Sequence, residues 1–175
     1  MKINKNLVLI GMMGSGKSTL GYLIAKKLDV LFIDIDRKIE EIEKMSISKI
    51  FKKHGEKYFR IIEEKITSEI LKKNSRCVVS LGGGAFLNKI IRKEILLNHL
   101  SFWLNWDNQI LANRIKNSAK RPLVSNLTKN DLITMSEKRS NIYSKAMYKI
   151  NCNNLTKNEI VDEIINRYEH NKTNS

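Results

Sequence analysis

The chain has 175 residues and a mass of 20.3 kDa, a length that fits one domain spanning 1–175 with a sizeable core. Forty-two per cent hydrophobic residues with one proline and eight glycines exclude a collagen-like, low-complexity or disordered protein. A net charge of +14 would draw polyanions. The 24 lysines, however, are scattered among 24 isoleucines and 19 asparagines without a basic tract or interleaved aromatics, so no specific nucleic-acid partner is expected.

In chain order, Leu7-Val8-Leu9-Ile10 reads as a strand and Lys17 to Leu28 as a helix. Leu31-Phe32-Ile33 reads as a second strand. From Glu56 to Lys73, Phe59, Ile62, Ile66 and Ile70 fall three and four apart, predicting a helix with one apolar stripe. Further strands are read at Cys77–Ser80, Phe102-Trp103-Leu104 and Tyr148-Lys149-Ile150, and a helix over Asp131 to Met147. The last helix opens at Thr156 with Glu159 three residues on, a capping-box spacing. Short strands with few polar interruptions, alternating with helices, predict an α/β protein whose five-stranded parallel sheet is covered on both faces.

Cys77 and Cys152 sit in short apolar segments without metal or redox spacing and read as buried thiols. Without a disulfide framework, a signal-peptide core or an apolar run near the roughly 18 residues of a bilayer span, a cytoplasmic protein without membrane contact is expected. His54, His99 and His170 show no ligand spacing, and Trp103 reads as core. Residues 117–129 hold the sole proline, Pro122, and no glycine, and read as a mobile flap.

Directly after the first strand stands Gly11-Met12-Met13-Gly14-Ser15-Gly16-Lys17-Ser18, which fits G-x-x-x-x-G-K-[ST] in the strand-to-helix setting that motif needs. Glycines let main-chain N–H groups turn inward, and the following helix adds its positive end. Lys17 would reach the β- and γ-phosphates of ATP, Ser18 would ligate Mg²⁺, and Thr19 continues the helix. The second strand ends in Asp34-Ile35-Asp36, at the carboxyl end where ligands bind in doubly wound sheets. One carboxylate could serve Mg²⁺ and its water while the other accepts a hydrogen bond from an attacking hydroxyl; alternatively Asp36 caps the helix that runs to Lys44. Arg60 lies beside the apolar stripe of its helix, and Gly82-Gly83-Gly84 follows a strand, allowing close backbone approach to a ligand.

With these motifs the chain resembles the shikimate kinases: the loop Gly11 to Ser18, Asp34-x-Asp36, Gly55-Glu56 with Phe59-Arg60 and Glu63, Gly82 to Gly84, Arg121-Pro122-Leu123, and Arg139-Ser140 followed by Tyr143. Ser80-Leu81 departs from the family's habit of Thr directly before the glycines. The resemblance implies a three-layer P-loop fold like that of the nucleoside monophosphate kinases, with five parallel strands ordered 2-3-1-4-5, a substrate-binding helical region at about 36–62 and a lid at about 117–129. It implies ATP- and Mg²⁺-dependent phosphorylation of the 3-hydroxyl of shikimate, on the route to chorismate and the aromatic amino acids, by a monomer. Asp36 is then the favoured base, and Arg60 and Arg139 grip the substrate carboxylate with the backbone near Gly83. Asp34 lies on the magnesium side. Gly14, Ser15, Gly16, Lys17, Ser18, Thr19 and Arg121 meet ATP, with Arg121 the catalytic cation of the lid and Arg114 a helper. Adenine falls near Asn151 to Leu155. A kinase for another hydroxy acid, such as gluconate, would share the loop and sheet, and a nucleic-acid-stimulated ATPase is the rival that the charge suggests.

Overall fold

A computed structural model describes residues 5–73, 76–116 and 127–173. Five strands, β1 (Leu7–Ile10), β2 (Leu31–Asp34), β3 (Cys77–Ser80), β4 (Leu100–Asn105) and β5 (Tyr148–Asn151), form one sheet in the order β2-β3-β1-β4-β5, every pairing parallel. β1 lies at the centre because all four of its residues are apolar and all are buried. Alternation divides them: Val8 and Ile10 face one core, Leu7 and Leu9 the other.

On the second face lie α1 (Lys17–Leu28) and α7 (Lys157–Thr173), inserting Leu20, Ile24, Ile160 and Ile164. The first face is covered by α2 (Ile35–Glu43), α3 (Ile47–Lys72), α4 (Lys89–Asn98), α5 (Asn108–Lys116) and α6 (Lys129–Tyr143). Ile39, Phe59, Ile66, Ile91, Leu111 and Leu132 supply its core. The result is the three-layer arrangement and strand order expected from the sequence.

Several boundaries differ from the sequence reading. Asp34, not Asp36, caps α2, its carboxylate accepting from the Arg37 N–H at 3.3 Å; Asp36 falls in the first turn. The helix read from Glu56 begins earlier, at Ile47, and breaks at Gly55, whose φ of 79° and ψ of 173° are not helical. α6 starts two residues before Asp131 because Thr128 is the cap. The Thr128 N–H donates to Asp131 Oδ2 at 2.8 Å and the Asp131 N–H to Thr128 Oγ1 at 3.1 Å. It stops at Tyr143, since the Met147 N–H turns to Ser101 Oγ at 2.9 Å as the chain enters β5. Thr156 and Glu159 form the reciprocal cap read in the sequence. The flap at 117–129 lies outside the described residues except for its last three, and so does Arg121.

Candidate active site

Among the described residues, the candidate side chains gather around the carboxyl ends of β1, β2, β3 and β4. Between β1 and α1, Gly11, Gly14 and Gly16 all take positive φ, which curls the loop. Within that curl the Lys17 ammonium donates to the carbonyls of Gly11 and Met12, both at 2.9 Å. A 200 Å³ cavity is bounded by Gly14, Gly16, Lys17, Ser18 and Thr19 on the loop side. Asp34, Asp36 and Ser80 close it opposite. The Ser18 hydroxyl donates to Asp34 Oδ2 at 2.5 Å. Two hard oxygen donors meeting beside a phosphate loop suit a small divalent cation that keeps much of its water and leans on substrate phosphates, so these residues fit Mg²⁺. The departure at Ser80 leaves a hydroxyl-bearing side chain on the wall of this cavity all the same, directly across the β2–β3 pairing from Asp34.

A second cavity, of 250 Å³, adjoins the first and shares Asp36 with it. Its walls include Phe59, Arg60, Glu63, Gly83, Gly84 and Arg139. Arg60 is fixed from two sides, with Nη1 donating to Glu63 Oε2 at 2.7 Å, and Nε and Nη2 to Glu56 Oε1 at 3.2 and 3.1 Å. Burial would lower the pKa of Arg60, but Glu63 and Glu56 outweigh it and hold the guanidinium above its ordinary value. Glu63 is buried, so desolvation raises its carboxyl above the usual range; Arg60 pulls it back, the charge of Asp36 adds to the rise, and Arg139 opposes it.

Arg139 comes from α6 and reaches across to donate to the Gly83 carbonyl at 3.3 Å. Tyr143, one turn further on, donates to the same carbonyl. Burial raises the Tyr143 hydroxyl above its ordinary pKa, which keeps it a donor. The glycines after β3 are there for room: a Cβ on Gly82 would fall 2.6 Å from Glu63 Oε1 and 2.7 Å from Asp36 Oδ1. Only a residue without a side chain lets both carboxylates close on the strand end.

A third cavity, of 490 Å³, opens on the other flank of the loop beside Ser15, Gly16 and Thr19 and extends past Trp106 and Arg114 to Leu155 and Thr156. It includes the end of the segment read as the adenine side. Its tryptophan was not singled out in the sequence. The Trp106 indole N–H donates to the Ser15 carbonyl at 3.0 Å, and the Arg114 guanidinium carbon lies 3.7 Å from the ring centroid.

The family model described as shikimate kinase matches residues 13–169. The chain belongs to the shikimate kinase family. A relative named shikimate kinase from Thermodesulfovibrio yellowstonii is 39% identical over 166 residues, covering 94% of this chain and 95% of that one. Among solved structures, shikimate kinase from Acinetobacter baumannii in complex with shikimate aligns with a TM-score of 0.88 at 28% identity, over 96% of this chain and 94% of that one. A gluconokinase from Sinorhizobium meliloti 1021 aligns with a TM-score of 0.57 at 17% identity, over 99% of this chain and 97% of that one, a likeness of fold alone.

Within the shikimate kinase frame, the residues expected from the sequence fall into two groups at this site. Gly14, Gly16, Lys17, Ser18, Thr19, Asp34 and Asp36 line the phosphate cavity, while Asp36, Arg60, Gly83 and Arg139 line its neighbour. Ser15 lines the third cavity and is buried. Glu56 and Glu63, which bond Arg60, and Tyr143, which donates to the Gly83 carbonyl, stand in the sequence only as parts of the motifs, with no role attached to any of the three.

Proposed function

We propose that this member of the shikimate kinase family moves the terminal phosphoryl group of ATP onto the 3-hydroxyl of shikimate, giving shikimate 3-phosphate and ADP. The observation that supports it most directly is the position of Asp36, which borders both the phosphate cavity and the cavity of the two arginines. A hydroxyl hydrogen-bonded to that carboxylate is within reach of both.

Arg60 and Arg139 grip the carboxylate of the acid, and the Gly83 backbone helps. Arg60 is already held at the wall by Glu63, so less side-chain freedom is lost on binding. A planar fork suits a carboxylate better than an ammonium point charge does. With the acid end fixed, the ring presents one hydroxyl to Asp36, which orients it and accepts its proton. Lys17 and the loop amides stabilise charge on the phosphoryl oxygens, and Arg121 adds a further cation. Ser18 and, through water, Asp34 would hold Mg²⁺, which when bound neutralises charge on the phosphates.

Adenine belongs in the third cavity, between Arg114 and Leu155. We place the enzyme in the cytoplasm as a monomer of a single domain: Cys77 and Cys152 are both free and buried, and burial pushes their thiols up to about 11 and about 12, as suits a reducing compartment. Among the described residues no helix is long and apolar enough to cross a membrane.

A coupled assay of ADP release with ATP and Mg²⁺ tests the substrate. Release should depend on shikimate and stay near background with gluconate. Turnover of gluconate without turnover of shikimate would refute the assignment.

A further inference from the structure

We propose that Trp106 is a positioning residue for the nucleotide, setting the phosphate loop and Arg114 together in the geometry that receives it; this rests on the kinase reading above. Trp106 stands in the two-residue connection between β4 and α5, and its half-buried indole touches both sides of the nucleotide region at once.

The first contact is polar. The indole N–H donates to the Ser15 carbonyl at 3.0 Å. Because a trans peptide sets its carbonyl and the next N–H on opposite sides, tying the Ser15 carbonyl to the indole turns the Gly16 N–H away from Trp106. That orientation is otherwise free to vary, since Gly16 carries no side chain to pin it. The second contact uses the ring face. Arg114 lies with its guanidinium carbon 3.7 Å from the ring centroid, close enough for a cation–π interaction, and it lines the same cavity as Ser15 and Gly16. A long arginine side chain that would sample many rotamers is thereby held at the cavity wall before any ligand arrives.

The stretch is itself anchored. Asp107 caps α5, accepting from the Gln109 and Ile110 N–H groups at 2.8 and 3.3 Å, and its own N–H donates to Asn153 Oδ1 at 2.7 Å. The indole thus hangs from a fixed backbone between the loop and the helix that bears Arg114.

Calorimetric titration of the full chain with ADP tests this with two variants. Trp106→Phe keeps an aromatic face and loses the donor, so the ADP Kd should rise about fivefold. Trp106→Leu loses both, and the Kd should rise about twentyfold or more. The KM for shikimate should stay within about twofold in each, a split that a general loosening of the fold would not give. An ADP Kd unchanged in both variants, or a shikimate KM that climbs in step with it, overturns the proposal. If the unsubstituted chain neither binds ADP nor turns over, the kinase reading falls and takes this one with it. If it does both normally while Trp106→Leu binds ADP as well as it does, this inference alone is lost.

Discussion

In the proposed reaction Asp36 serves the chemistry and Arg139 the grip, and substitution should separate them. Asp36→Asn keeps the size and one acceptor but cannot take a proton, so kcat should fall by at least about a hundredfold. The ATP KM should stay within about twofold, because the phosphate loop is untouched. Steady-state kinetics with each substrate varied in turn checks both. Arg139→Lys removes the planar fork, including the Nη1 that donates to the Gly83 carbonyl, and leaves a single ammonium that cannot bond a carboxylate and Gly83 in the same geometry. The shikimate KM should rise about tenfold or more, with a smaller change in kcat. How far such residues could be read from the sequence depended on how local their signal is. Lys17 and Ser18 stand in a motif whose spacing already implies the backbone curl. Arg60 alone would read as one more helix arginine, and it acquired a role only with the family pattern. Trp106 left no signal, because its partner Ser15 is 91 positions away and nothing in either neighbourhood announces the contact.

The break in α3 is a feature of the element that turns its two halves into different structures. The half up to His54 opens on the Ser46 cap, which accepts from the Lys49 N–H at 3.4 Å, and is tied to α2 where the Ile47 N–H donates to Glu40 Oε1 at 2.9 Å. From Glu56 on the helix carries Arg60, and the Tyr58 hydroxyl donates to Glu43 of α2 at 3.0 Å. Gly55 joins them at a φ and ψ that only glycine adopts readily, and a Cβ there would meet nothing within 4 Å. Gly55→Ala should therefore cost about 1–3 kcal/mol through backbone strain alone. Urea unfolding should show that loss, and the shikimate KM should rise because Glu56, next in the chain, helps orient Arg60. The half from Glu56 was legible because Phe59, Ile62, Ile66 and Ile70 keep helical spacing. The first half shows no such stripe and is expected only through the resemblance, as part of a helical region at about 36–62, because Gly55 reads as a boundary when it is an internal bend. α4 and α5 went unread for a related reason: each is about ten residues long and opens on a cap, Asn88 or Asp107, that looks like a loop residue in isolation.

For the whole molecule, stability towards acid should depend on His99, buried at the opposite end of the sheet. Its Nδ1 accepts from the Asn6 N–H at 3.4 Å. Burial lowers its pKa; Glu94, 3.8 Å from Nε2, and a bond with the Leu71 backbone oppose this, while Lys5 adds to the lowering. The folded chain thus favours neutral imidazole, whereas the unfolded chain takes a proton near pH 6.5. As pH falls below about 6.5, unfolding gains up to ~1.4 kcal/mol per pH unit until the folded pKa is reached. His99→Gln should flatten that part of the curve in urea titrations between pH 7 and 5; an identical slope in both proteins would exclude His99 as its source. The charge of +14 belongs to this scale too. Spread over the surface without a groove-reading motif, it should give weak association with DNA that disappears at moderate salt, as an electrophoretic shift across a salt series would show.

The central place of β1 has a bearing on biogenesis. Both of its hydrogen-bonded edges are closed by strands made much later, at residues 77–80 and 100–105. At a synthesis rate of about 5–20 residues per second, Leu-Val-Leu-Ile therefore spends several seconds on the ribosome as a bare apolar strand with both sides open. Such a segment is an aggregation hazard until its neighbours emerge. The nascent chain should therefore lean on trigger-factor-like holdases in a way that the finished enzyme does not.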